Sequence, residues 1–216
     1  MGFAKAFMPI GLLHLSAELR RHGHEANVYD ADYNPCGKPL PFRQKIDHYQ
    51  NYLDALNNPS HSLWQEIEQT IEDFMPDVVG ISLISTKLES GLRIAEICKK
   101  KGIKTMGGGP HATVDPDEVL EKGFDVVVTG EGEHVIHDAL YSHGIVPGRV
   151  VTDLDELPFP ARESLINLTA YRPKDLGIIQ TARGCPNDCK FCCSDVLWGR
   201  KVRSRSIENV ITEIKE

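Results

Sequence analysis

The residues best suited to chemistry lie near the carboxyl end, in Gly184-Cys185-Pro186-Asn187-Asp188-Cys189-Lys190-Phe191-Cys192-Cys193. Cys185, Cys189 and Cys192 follow one another at spacings of four and three, which crowds three sulfurs into one loop. Thiolates gathered so closely repel one another unless a soft metal takes up the charge. Three ligands with one coordination position left open suit a [4Fe–4S] cluster whose fourth iron binds a substrate or cofactor. Other uses of the same thiols stand beside this one. Structural zinc takes four ligands, usually in two separated pairs, and no His or Cys follows Cys193. A redox pair would use Cys189 and Cys192 and leave Cys185 without a role. A disulfide framework fits poorly with 216 residues and a start, Met1 to Ile10, that lacks the layout of a secretory leader. The iron–sulfur reading accounts for all three sulfurs and is preferred. Cys193 sits directly beside a ligand, where good geometry to the same metal is rare, and is expected to be a packing thiol.

Bulk composition narrows the setting. A hydrophobic share of 41% with 25% charged residues is ordinary for a globular chain of one large or two small domains. The net charge of −7 argues against a general binder of nucleic acid or membrane surface. No apolar run approaches the roughly 20 residues a spanning helix needs. Six cysteines, four of them within nine residues, fit a reducing cytoplasm. The expectation is a soluble cytoplasmic protein.

The elements that must position the cysteines read as follows. Apolar residues between Ile10 and His22 recur at helical spacing, closed by Gly23. Glu25 to Asp30 reads as a strand, and residues 33–43, rich in Pro, Asn and Gly, as a loop. Helices are predicted over Gln44 to Leu56 and Ser62 to Phe74. From Pro76 onward strands and helices alternate: strand Asp77 to Ile84, helix Leu88 to Lys101, strand Ile103 to Met106. Asp115 then caps a short helix begun by Pro116, followed by strand Phe124 to Thr129 and helix His134 to Ser142. Alternation with near-continuous apolar strands means a parallel sheet covered on both faces. A connector broken by Pro147, Pro158, Pro160 and Pro173 leads to a strand at Gly177 to Thr181 and then the cysteine loop. Arg200 to Arg205 is a basic stretch, more often a solvated face than an anion site, and Ser206 caps a last helix, Ile207 to Lys215.

In such sheets ligands sit at the carboxyl ends of the strands. There the sequence places Ser82-Leu83-Ile84-Ser85-Thr86, Gly107-Gly108-Gly109-Pro110-His111 and Thr129-Gly130-Glu131-Gly132-Glu133. Each alone reads as a tight turn; three on one rim point to a binding face. A dinucleotide site is disfavoured, because the glycines do not form G-x-G-x-x-G and the acids Glu131 and Glu133 oppose a pyrophosphate. A large neutral or cationic ring system suits this rim better.

Two resemblances sharpen these expectations. C-x3-C-x2-C with an aromatic before the last cysteine resembles the signature of the radical S-adenosylmethionine (SAM) enzymes. The resemblance implies that Cys185, Cys189 and Cys192 hold a [4Fe–4S] cluster, that SAM chelates the fourth iron, and that Phe191 lies against its adenine. An electron from the cluster, delivered by a donor such as flavodoxin or ferredoxin, then yields a 5′-deoxyadenosyl radical that abstracts hydrogen from a small-molecule substrate.

The segment from Pro76 to Glu133, with P-D-V-V-G-I-S, G-G-G-P-H-A-T and T-G-E-G-E, is similar to the cobalamin-binding domain that precedes the radical SAM barrel in one large subfamily. It implies a flavodoxin-like fold of five parallel strands with the corrin flat on the strand ends, against Ser85, Thr86, Gly108, Gly109, His111, Gly130, Glu131 and Gly132. The axial-ligand motif D-x-H-x-x-G is missing, so His111 is expected to be a hydrogen-bonding loop residue before a cobalt ligand. The implied outcome is methyl transfer or oxidative cyclisation at an unactivated carbon. The alternatives are a cobalamin- or tetrapyrrole-binding module with a structural metal, and a radical SAM enzyme whose sheet domain has lost cobalamin.

The resulting layout is an α/β chain: a cobalamin-binding-like domain over 1–143, a linker over 144–173, and over 174–216 the first βα unit of a radical SAM barrel. A strand is expected ahead of the helix at Ile10, and further barrel units after Glu216, so the chain reads as a fragment with its first strand missing. Alone it is expected to bind the cluster poorly and to turn nothing over.

Overall fold

The computed structural model describes residues 8–31, 42–171 and 176–216. Most of the loop expected at 33–43, through residue 41, lies outside the described residues, as does Pro173. Four strands, β1 (Val78–Ser82), β2 (Lys104–Gly108), β3 (Val126–Thr129) and β4 (Gly144–Pro147), form one parallel sheet in sequential order. With its flanking helices this is a flavodoxin-like α/β fold.

Side chains on β3 alternate between two cores, as the pleat requires. Val127 faces Leu83, Val119 and Phe124, under helices α4 (Leu88–Lys100), α5 (Pro110–Val114) and α6 (Pro116–Glu121). Val126 and Val128 face the other side with Met106, Ile136 and Ala139, under α1 (Ile10–Arg21) and α7 (Ile136–Ala139). Helices α2 (Phe42–Asn57) and α3 (Ser62–Phe74) complete the domain, α3 packing Trp64, Ile67 and Ile71 onto α4. The predicted caps form: Asp115 accepts from the Glu118 amide at 3.1 Å and Ser206 from the Asn209 amide at 3.1 Å.

Several expectations need correction. Strand β2 runs through Gly107 and Gly108, which were expected to form the turn; the turn begins at Gly109. The helix expected over His134 to Ser142 is confined to Ile136–Ala139. Residues 144–147, expected in the connector, form the fourth strand beside β3. The strand expected at Glu25 to Asp30 reduces to one parallel bridge, Val28 to Leu165, held by the Val28 amide on the Ser164 carbonyl (2.9 Å) and the Ile166 amide on the Val28 carbonyl (2.8 Å). Val28 finds its partner in the connector because its apolar neighbours, Met8, Leu13, Leu165 and Tyr171, form a core of their own.

Beyond the connector, the strand expected at Gly177 to Thr181 is displaced to β5 (Ala182–Arg183), which pairs antiparallel with β6 (Arg203–Ser204). Between them lie the cysteines and α8 (Ser194–Trp198), and α9 (Ile207–Lys215) follows. Among the described residues no helix is long and apolar enough to cross a membrane.

Candidate functional site

The strand-end rim and the cysteine loop are neighbours, and buried charge holds them together. Arg183 ends β5 immediately before Gly184-Cys185, and Arg203 opens β6 opposite it in the antiparallel register. Both reach Glu131 of the loop after β3. The Arg203 fork donates to the two carboxylate oxygens, Nη1 to Oε2 at 2.7 Å and Nη2 to Oε1 at 2.9 Å, while Arg183 Nη1 lies 3.3 Å from Oε1. The Val151 amide adds a fourth donor at 2.6 Å, and Arg183 Nη2 pairs with Glu133 at 2.7 Å.

All four charged side chains are buried. Burial alone would push the Glu131 carboxyl up, but the bonds from Arg203 and Val151 and the two guanidinium charges outweigh it and hold it below the usual carboxylate range. Arg203 also donates to the Trp198 carbonyl (2.9 Å) and to the Val151 carbonyl. The basic stretch is therefore no solvated face: Arg203 and Arg205 are structural. Arg205 and Arg162 (2.6 Å) pair with Glu213 of α9, a carboxyl whose burial is likewise outweighed and whose pKa is lowered. Arg200 and Lys201 behave as predicted: both are exposed, and Arg200 pairs with Asp188 (2.7 Å) and Asp195 (3.0 Å).

This arrangement changes the reading of the rim. The acids Glu131 and Glu133 were expected to repel an anionic ligand, yet each is neutralised by an arginine inside the protein. Glu131, expected against the corrin, turns its carboxylate into the interior, and Gly132 is buried against Leu15 and Val128. The other rim positions remain accessible. Ser85 and Thr86 are exposed in the short 3-10 turn after β1, and Gly108, Gly109, His111 and Gly130 are half-buried. Gly109 has φ +91°, and a Cβ there would lie 3.0 Å from Ser82 Oγ and 3.1 Å from the Leu83 carbonyl, so no other residue fits without strain. By contrast, a Cβ at Gly130 would meet nothing, which leaves its surface open to a ligand. His111 shares hydrogen bonds with Ser85 Oγ (Nδ1, 2.9 Å) and Glu118 (Nε2, 3.1 Å), so both ring nitrogens are engaged.

On the other side, Gly184 (φ +90°) lets the chain pass Lys201, whose carbonyl would lie 2.2 Å from any Cβ, and the Cys185 amide donates to the Gly199 carbonyl at 3.2 Å. These contacts close the loop at its base. Its tip is open: Cys189, Cys192 and Cys193 are exposed, Cys185 is half-buried, all are free thiols, and Phe191 is 93% exposed. Cys193 is thus not the packing thiol expected; it precedes α8 at the surface. Hydrogen bonds from the Ser194 hydroxyl and amide lower the Cys192 pKa, which favours thiolate.

Among the described residues no three His, Cys, Asp or Glu side chains converge as ligands of a single ion. The four cysteines of the loop are free thiols, three of them exposed and Cys192 biased to thiolate, the form in which cysteine ligates either an iron–sulfur cluster or zinc. Helix α5, which carries His111, packs against α8 and so brings a second rim loop to the cysteine segment. Sequence reasoning missed the Arg183–Glu131–Arg203 clamp. Its signal was present: Arg203 and Arg205 alternate with small polar residues at strand spacing, and Arg183 flanks the glycine of the loop.

The B12 binding domain family matches residues 3–140. An uncharacterized methyltransferase of Pyrococcus horikoshii is 30% identical over 178 residues, covering 70% of this chain and 39% of that protein. Cytidylyl-2-hydroxyethylphosphonate methyltransferase of Streptomyces wedmorensis is 26% identical over 266 residues, covering 95% and 47%. The anaerobic magnesium-protoporphyrin IX monomethyl ester cyclase of Cereibacter sphaeroides is 27% identical over 198 residues, covering 77% and 32%. The chain spans less than half the length of each of these relatives.

Proposed function

Because this chain belongs to the B12-binding domain family, we propose that it binds cobalamin on the carboxyl ends of β1 to β3 and forms part of a radical SAM enzyme acting on a small molecule. The observation that carries this reading is the clamp: Arg183 and Arg203 fix the base of the cysteine loop to the T-G-E-G-E rim loop, which would keep a ligand on the rim near the cysteine segment. When bound, a [4Fe–4S] cluster would supply an electron to SAM, and cobalamin a carrier for a methyl group. The residues of this chain supply the holding. Cys185, Cys189 and Cys192 would ligate the cluster, Phe191 would cover the adenine of SAM, and Ser85, Thr86, Gly108, Gly109, His111 and Gly130 would line the corrin face.

In this reading residues 1–143 carry cobalamin, 144–173 connect, and 174–216 open the radical SAM part. Helix α9 accords with this, since Ile207, Ile211 and Ile214 present an apolar stripe to the outside, as a barrel helix does before its neighbours cover it. The methyltransferase and cyclase names among the relatives agree with methyl transfer or oxidative cyclisation; in this reading a flavodoxin or ferredoxin would supply the electron.

The test is anaerobic preparation with iron, sulfide and hydroxocobalamin. Retained corrin, together with an iron–sulfur absorption band that bleaches on reduction and disappears in Cys185→Ala, supports the reading. Zinc, or no cysteine-dependent metal, leaves a cobalamin-binding module; failure to retain corrin removes the rim site.

A further inference from the structure

We infer that Glu131 is a positioning residue that couples the cobalamin rim to the cysteine loop, an inference that rests on the rim reading above. One residue faces both ways. Its main chain lies in the rim loop between Gly130, whose amide donates to Thr113 Oγ1 at 2.9 Å, and Gly132. Its carbonyl accepts from the Arg149 amide at 3.0 Å. Its carboxylate points the opposite way and holds the two arginines that bracket the cysteine segment, one residue before Gly184 and two after Lys201.

A hairpin-like loop whose two ends are tied to a single buried carboxylate can move only as far as that carboxylate moves. Its own strands are two residues long each and supply little rigidity. Apolar packing does not hold the tip, because Cys189, Phe191, Cys192 and Cys193 are all exposed; the remaining contact is that of α8, at the far end of the segment, with α5. Ordering the rim around a ligand therefore restrains Glu131, and Glu131 restrains the cysteines. The clamp at Glu213 acts on α9 and the connector, does not involve the rim, and serves as the internal control.

Amide hydrogen exchange on the 216-residue chain, with and without hydroxocobalamin, tests this. In the ligand-free wild type the hydrogen-bonded amides of Cys185, Cys192, Leu197 and Gly199 are protected, and Glu131→Gln speeds their exchange about tenfold or more while β1 to β3 stay protected. Hydroxocobalamin slows the same amides further in the wild type and in Glu213→Gln, but not in Glu131→Gln. A group that only stabilised the fold would shift both states equally and leave the cobalamin-dependent increment intact. Should Glu131→Gln also unprotect the sheet, Arg203→Lys decides, since it keeps the charge and loses the two-pronged fork. Unchanged loop exchange in the variants, or an undiminished cobalamin increment, overturns the inference. A wild type that binds no hydroxocobalamin defeats the rim reading instead, and the ligand-free exchange then decides the positioning claim by itself.

Discussion

The sheet domain and the segment over 176–216 are held together by opposite means. Around β3 the interior is apolar: Val126, Val127, Val119 and Ala139 are fully buried, and the polar groups nearby are mostly backbone paired in the sheet. In the later segment the buried side chains are Arg183, Arg203 and Glu213, while Phe191, Ile207 (72%) and Ile214 (63%) face outward. The first region is stable because water is excluded from hydrocarbon, a force that needs no particular partner. The second is fixed by directional, charge-assisted hydrogen bonds, which specify one geometry but give little once a partner is lost. A body that only has to stay folded can use the former. The loop that carries the three thiols is held at its base by the latter.

This contrast can be broken from either side. The largest effect is expected in the apolar core. Phe124→Ala should lower global stability by about 3–5 kcal/mol, read as a shifted denaturant midpoint with every probe moving together. If the cysteine segment were to unfold alone in this variant, the division into two kinds of region would be wrong.

Arg205→Ala should cost less and act locally. It removes one of the two cations on the buried Glu213 carboxylate, and losing a partner of a buried pair costs up to about 3–5 kcal/mol, reduced here because Arg162 remains. Proteolytic nicking near α9 with an intact sheet is the expected readout; a fall in the global midpoint as large as that of Phe124→Ala would contradict it.

Acid separates the regions more gently. Glu131 and Glu213 have folded-state pKa values below their ordinary ones, so their contribution is complete above the unfolded value of about 4.3 and is lost as pH falls through the depressed folded values. Trp198, whose carbonyl accepts from Arg203, should report the loosening by fluorescence in a Trp64→Phe background, ahead of loss of helical circular dichroism. Simultaneous loss of both signals would show that the clamps are not the acid-sensitive part. Smallest of all, Ser206→Ala removes the cap of α9 and should cost about 1 kcal/mol, visible as faster exchange over Ile207–Lys215 only.

Several of these features were legible in the chain itself. The run Val126-Val127-Val128 announces a buried parallel strand, while Val78-Val79 announces a strand but not its burial, since β1 is only half-buried; Asp115 with Pro116 and Ser206 with Glu208 announce helix starts. What misled was length and partnership. Gly107 and Gly108 read as a turn because glycine is permissive, yet they continue β2, since β1 lies alongside with Ile81 and Ser82 in register. Gly144 to Pro147 reads as connector because it carries Gly and Pro, yet it pairs with β3 as an edge strand, where proline is tolerated.

The sequence by itself determined the periodic elements, the order of strands and helices, and the spacing of three cysteines on one loop. These are local properties, set by side-chain alternation and by a few residues of separation. Tertiary structure alone decided that Val28 pairs with the connector rather than the sheet, and that two arginines 20 positions apart meet one carboxylate. A charged side chain reads as solvent-facing until its partner is known. Whether burial strands it or satisfies it depends on a residue far away in the chain, which no local pattern encodes.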